Sequence, residues 1–152
     1  MNLTQKEQYI IDDLISQEKL CIQKYAFYEH MAYDPQLKQL FANIREKEEK
    51  HLKSLNDVKL GTIADSDVND DSAKKYRPSN EYHASSKPDE KNHDAFLCTD
   101  SITMEKYVSS AYNFDLFQFA NNKLRKLLAD IEVEEQNHAE MLYKYKVANS
   151  MV

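Results

Sequence analysis

The sequence predicts an all-α protein: a four-helix bundle built from two copies of one helical hairpin. Three observations carry that prediction. The 152 residues include one Gly and three Pro, too few for the many turns of an all-β fold. Apolar residues recur at helical spacing through four long stretches. Finally, the chain aligns with itself at a shift of 87 residues, with 7–55 lying over 94–142 without a gap.

The first helix opens with Thr4 and Glu7, a capping box, and carries Ile11, Leu14, Ile15, Glu18, Cys21, Ile22 and Tyr25. It is expected to end near Tyr33, because Asp34-Pro35 reads as an N-cap and an N1 proline. The second helix carries Leu37, Leu40, Phe41, Ile44, Glu48, His51, Leu52 and Leu55, with Gly61 past its end. Residues 56 to about 93 are rich in Asp, Asn, Ser and Lys, contain Pro78 and Pro88, and show no sustained period. The third helix is expected to begin near Asp94 as N-cap and to run through Ile102, Glu105, Val108, Tyr112, Leu116 and Phe119. Asn121-Asn122 breaks it. The fourth carries Leu124, Leu127, Leu128, Ile131, Glu135, His138, Leu142 and Tyr145.

Thirteen of the 49 aligned positions are identical, among them Glu18/Glu105, Tyr25/Tyr112, Glu48/Glu135, His51/His138 and Leu55/Leu142. Each hairpin has one apolar face to bury, and the other hairpin is the available partner. A pseudo-twofold bundle follows. The polar connection is long enough to return along the bundle, which is the topology of ferritin-like folds with one long crossover. The expected organisation is a single domain over 1–152: a first hairpin over about 4–57, a polar crossover over about 58–93 and a second hairpin over about 94–148. The crossover exceeds what such a return needs, which leaves a lid, a contact surface or disorder open for part of it.

Composition narrows the function classes. The formal net charge of -6 disfavours non-specific nucleic-acid binding. No run approaches the roughly 18 apolar residues of a membrane span. The stretch MNLTQKEQYIIDD has no basic region followed by an apolar one, so no signal peptide is expected. Two cysteines, Cys21 and Cys98, are too few for a disulfide framework and suit a reducing compartment.

The chemistry lies in the bundle's predicted interior. Each copy places a Glu at core phase and, thirty residues on, a Glu-x-x-His: Glu18 with Glu48 and His51, Glu105 with Glu135 and His138. Residues at i and i+3 share a helix face. Two hairpins then gather four carboxylates and two imidazoles, the ligand set of di-iron and di-manganese carboxylate bundles. Four carboxylates balance two divalent cations, and the mixed oxygen and nitrogen set suits iron or manganese. Without metal, such clustered buried charge is costly. The expected cofactors are therefore two divalent ions. A decayed site or a protonated polar network is the competing reading. Glu90 and His93 form a further Glu-x-x-His, but Leu60 stands where the partner carboxylate is needed, and that pair is set aside.

Two readings fit Tyr25 and Tyr112, two turns beyond Glu18 and Glu105: hydroxyls donating to ligating carboxylates, or aromatics filling the core. Glu134 is positioned to orient the opposing imidazole. Its repeat counterpart is Lys47, so that role cannot be symmetric. Cys21 reads as packing.

Two phrases, LTQKEQYIIDDLISQEKLCIQKYAFYEHMAYDPQLKQLF at 3–41 and LCTDSITMEKYVSSAYN at 97–113, resemble the Coat F family of spore coat proteins, which belongs to the ferritin-like superfamily with the rubrerythrins. The resemblance covers both hairpins and not 56–93. It implies a coat-associated role in sporulation, with synthesis in the cytoplasm, location in the spore coat, and other coat proteins or self-association as partners. It does not imply a reaction. The rubredoxin-type Cys-x-x-Cys module of a full rubrerythrin is absent, and so are landmarks of an iron-storage cage. Two functions follow. One is a coat component stapled by a carboxylate-bridged dinuclear site, with redox capability left open. The other is a di-iron or di-manganese enzyme of peroxidase, oxidase or catalase type, acting on oxygen or peroxide. The residues do not decide whether the protein is an enzyme.

Overall fold

The computed structural model describes residues 1–65, 71–82 and 87–152. The portions of the expected crossover at 66–70 and 83–86 lie outside the described residues. Four long helices dominate: α1 (Gln5–Met31), α2 (Pro35–Lys59), α4 (Pro88–Leu116) and α5 (Asn122–Ala148), with a one-turn α3 (Ser72–Lys75) in the crossover. Among the described residues, no helix is long and apolar enough to cross a membrane.

The helix starts follow local chemistry. The Thr4 side chain accepts from the Glu7 backbone, and the Glu7 carboxylate accepts from the Thr4 N–H, completing the capping box. Asn121 caps α5 through a side-chain bond from the Leu124 N–H. Gly61 ends α2 with φ at 87°, the left-handed conformation that glycine adopts without steric cost. Helix α2 runs to Lys59, slightly beyond the expected hairpin boundary.

Two expectations are corrected. Helix α4 begins at Pro88, not near Asp94. Pro88 is its N1 residue, and Asp89 and Glu90 supply the acidic first turn that complements the helix dipole. Asp94 lies inside the helix, fully buried. Helix α4 also stops at Leu116 rather than reaching Phe119. Phe119 is in the turn and packs into the core.

Helices α1 and α2 form one close pair, α4 and α5 the other. The pairs meet with α1 facing α4 and α2 facing α5. Both meetings are antiparallel. Lys6 near the start of α1 donates to Gln118 just past α4, while Tyr28 late in α1 donates to Asp100 early in α4. Asp34 at the start of α2 meets Tyr145 near the end of α5. Helices α2 and α4 therefore run in the same direction, and the chain between them must return along the molecule, about 40 Å at ~1.5 Å per helical residue. Its described parts reach the far end: Ser79 bonds Gln36, and Tyr82 bonds Asp94.

Two apolar clusters form the core. One gathers Ile11, Leu14, Leu55, Val58, Leu124 and Leu128; the other gathers Tyr25, Leu37, Phe41, Leu97, Leu142 and Tyr145. On α2, α4 and α5 the residues between these clusters are charged. There the sequence departs from its own apolar stripe.

Candidate metal centre

Glu18, Glu48, His51, Glu105, Glu135 and His138 all converge between the clusters, each at most 2% exposed. The i, i+3 spacing aims each Glu and His of α2 and α5 inward together. Glu18 and Glu105 meet them from α1 and α4. Two overlapping groups result: Glu18, Glu48, His51 and Glu135, and Glu48, Glu105, Glu135 and His138. Within each, one potential ligand atom per residue lies within 4.8 Å of every other. Glu48 and Glu135 belong to both groups, one from each hairpin.

The distances are those of a shared cage. His51 Nδ1 lies 3.1 Å from Glu48 Oε2, 3.1 Å from Glu135 Oε1 and 3.8 Å from Glu18 Oε1. His138 Nδ1 lies 3.2 Å from Glu48 Oε1, 3.3 Å from Glu135 Oε2 and 3.5 Å from Glu105 Oε1. The imidazole rings stack with centroids 6.0 Å apart.

Carboxylate oxygens outnumber donors here. Glu18 Oε2, Glu48 Oε1, Glu105 Oε2 and both Glu135 oxygens make no hydrogen bond, although three of them approach an imidazole nitrogen. A buried polar atom without a partner costs about 1–3 kcal/mol. Oxygens and nitrogens at these separations could hold metal ions, with Glu48 and Glu135 common to both groups.

Proton affinities reflect the crowding. Burial and the charges of Glu48 and Glu135 hold Glu18 well above the ordinary carboxylate range, and burial with the same two charges does so for Glu105. Burial also opposes ionisation of Glu48 and Glu135, but the imidazoles at Glu48, and the Glu105 carboxyl together with the imidazoles at Glu135, outweigh it and both end below their ordinary value. Burial disfavours both imidazolium ions, yet the surrounding carboxylates raise His51 and His138 well above theirs. In the metal-free molecule, protons stand where cations would.

The tyrosines do donate to carboxylates, but across the hairpin interface. Tyr25 Oη bonds Glu105, and Tyr112 Oη bonds Glu18. Each hairpin thus orients the other's carboxylate. Glu134 Oε2 bonds His51 Nε2, and its other oxygen lies 3.1 Å from Lys47 Nζ. Because Lys47 replaces the acid in the first hairpin, this support reaches His51 alone of the pair. Cys21 is buried in the apolar cluster, and burial beside four carboxylates pushes its thiol far up. Glu90 pairs with Lys87 at 3.0 Å, and His93 packs edge-on to Tyr33; neither belongs to the cage.

The sequence reading missed a second buried acidic cluster at the α1–α2 turn. Asp94 accepts from the backbone N–H groups of Tyr33 and Asp34, both at 2.9 Å, and from Tyr82 Oη at 2.6 Å. Asp34 accepts from Tyr145 Oη at 2.7 Å. The repeat offered a signal: Asp94 is the counterpart of Glu7, and the Glu7 carboxylate accepts from the Ala120 backbone in the opposite turn.

A comparison with protein families finds that residues 93–152 match the Coat F domain, which spans most of α4 and all of α5. No curated protein and no solved structure matches the chain significantly.

Proposed function

We propose that the protein is a spore-coat-associated member of the Coat F family, a single ferritin-like four-helix bundle holding a carboxylate-bridged pair of iron or manganese ions. The observation that carries the metal reading is the set of five carboxylate oxygens without a hydrogen bond that face two buried imidazoles. The up-down-down-up helix order and the intervening long return support the ferritin-like assignment. The Coat F match over the second hairpin supports the coat role. So does an outer stripe repeated in both hairpins. Tyr9, Leu20 and Phe27 are 58–64% exposed, and their counterparts Phe96, Tyr107 and Phe114 are 65–70% exposed. Apolar surface of that extent suits contact with neighbouring coat proteins or further copies.

Glu48 and Glu135 are the bridging candidates. Glu18 with His51, and Glu105 with His138, would hold one ion each. Tyr25 and Tyr112 hold the terminal carboxylates in place, and Glu134 fixes the His51 ring by its far nitrogen. When bound, iron or manganese would supply a redox change between the +2 and +3 states. The chain contributes charge balance and a dry apolar surround. A second reading, an enzyme reducing oxygen or peroxide, draws on the same residues.

The test is metal analysis after reconstitution with Fe(II) and Mn(II), followed by a peroxide-consumption assay. Two ions per chain support the site. Near-zero stoichiometry rejects it. A metallated protein inert to oxygen and peroxide rejects the enzyme and leaves the coat component.

A further inference from the structure

A cavity of about 170 Å³ opens between α4 and α5, lined by Glu105, Lys106, Ser109, Glu135, Gln136 and Ala139. Two of these are cage carboxylates, and each carries an oxygen without a hydrogen bond. Lys106 and Gln136 also line it, and two small residues, Ser109 and Ala139, lie one turn beyond Glu105 and Glu135. At the equivalent positions of the repeat, the first hairpin has Ile22 and Leu52. Leu52 packs against the apolar core. The duplication thus preserved all six potential ligands but changed the residues beside them, from bulky on one side to small on the other.

Resting on the dimetal reading above, we propose that the α4–α5 groove is the portal to the cage. Ser109 and Ala139 set its width, and the α1–α2 groove is plugged by Ile22 and Leu52. Its volume holds on the order of five waters at ~30 Å³ each. That admits a molecule of the size of dioxygen or hydrogen peroxide. Glu105 and Glu135 line the passage, so an entering molecule meets the carboxylates of the His138 half first. The two metal positions are therefore unequal in access: one lies at the portal and the other behind it.

The test uses the full chain loaded with Co(II), with azide as the small probe. The readout is the stopped-flow rate of change in the cobalt visible spectrum. Ser109→Ile with Ala139→Leu transplants the first hairpin's residues into the second. It should leave cobalt stoichiometry unchanged and slow the azide response at least tenfold. Ile22→Ser with Leu52→Ala makes the reverse exchange and should speed it severalfold. This second variant carries the test if the first fails to fold. Full cobalt stoichiometry with azide rates unchanged in the folded variants, or no azide response in the parent, overturns the portal while leaving the metal site standing. A parent that binds no cobalt overturns the metal reading, and the portal with it.

Discussion

Among the described residues, two buried acidic clusters lie along the bundle, and they are built on opposite principles. At the α1–α2 turn, Asp94 and Asp34 meet donors that cannot leave: two backbone N–H groups and two tyrosine hydroxyls. In the cage, four glutamates share two imidazoles and two tyrosines, and five of their oxygens make no hydrogen bond. The first cluster leaves a single carboxylate oxygen, Asp34 Oδ1, without a donor, and so can serve as a structural knot. The second has an excess of acceptors, which is what a cation requires. Burial does not separate the two, because the carboxylates of both are buried. The donor count does.

Acidity should give the largest effect, and it touches only the cage. The unfolded chain titrates its histidines near 6.5, whereas the folded cage keeps both protonated to higher pH. The metal-free fold therefore binds more protons than the unfolded chain. Its stability falls as pH rises through that range. The raised Glu18 and Glu105 act in the same direction. Glu48 and Glu135, held low, act oppositely, but their contribution is lost only as pH falls through the carboxylate range. Metal binding needs all six side chains deprotonated. Two ions should thus displace up to four protons, from the two imidazoles, Glu18 and Glu105. Calorimetric melts at pH 6, 7 and 8 should show the metal-free protein weakening and the metal-induced gain in Tm growing. A gain that shrinks with rising pH would contradict the cage.

Removing an acid should then have opposite consequences in the two clusters. Glu48→Leu should abolish metal-induced stabilisation, about 4 kcal/mol at a thousandfold excess of metal over Kd. It should leave the metal-free fold as stable as the parent or more so, because a buried charge without sufficient donors is replaced by apolar bulk. Asp94→Leu should show no such recovery. The Tyr33 and Asp34 N–H groups belong to the backbone and would lose their acceptor, at about 1–3 kcal/mol each. A loss of roughly 3 kcal/mol in urea melts, with two metals still bound, is the expected outcome. If both leucine variants behaved alike, the distinction by donor count would fail.

The same contrast explains what was legible from sequence. The cage was readable because a metal site needs fixed residue types at fixed spacing, and the repeat printed that spacing twice. The Asp94 knot was not. Its partners are backbone groups, which leave no mark on side-chain pattern, and an Asp ahead of an apolar run looks like an N-cap. Pro88 carried the true start signal but read as loop punctuation. The direction of the tyrosine bonds was also hidden. Helical phase puts Tyr25 on the face of Glu18, but only the antiparallel meeting of α1 and α4 brings its hydroxyl to Glu105 instead.

Within the cage, one further difference should separate its two halves. His51 has Glu134 on its far nitrogen, and the repeat gives His138 no equivalent, because Lys47 occupies that place. A carboxylate behind a ligating imidazole fixes the ring and raises its basicity, and losing such a partner typically costs 10–100-fold in metal affinity. Glu134→Gln keeps the size and the ability to hydrogen-bond but removes the charge. Titration with Mn(II), followed by calorimetry, should therefore resolve two sites in the variant. One should stay near the parent affinity. The other should be weakened about tenfold, roughly 1.4 kcal/mol. Lys47→Glu should act in the opposite sense, giving His138 an acid of its own. Equal weakening of both sites by Glu134→Gln would mean that the halves are coupled too tightly for this asymmetry to matter.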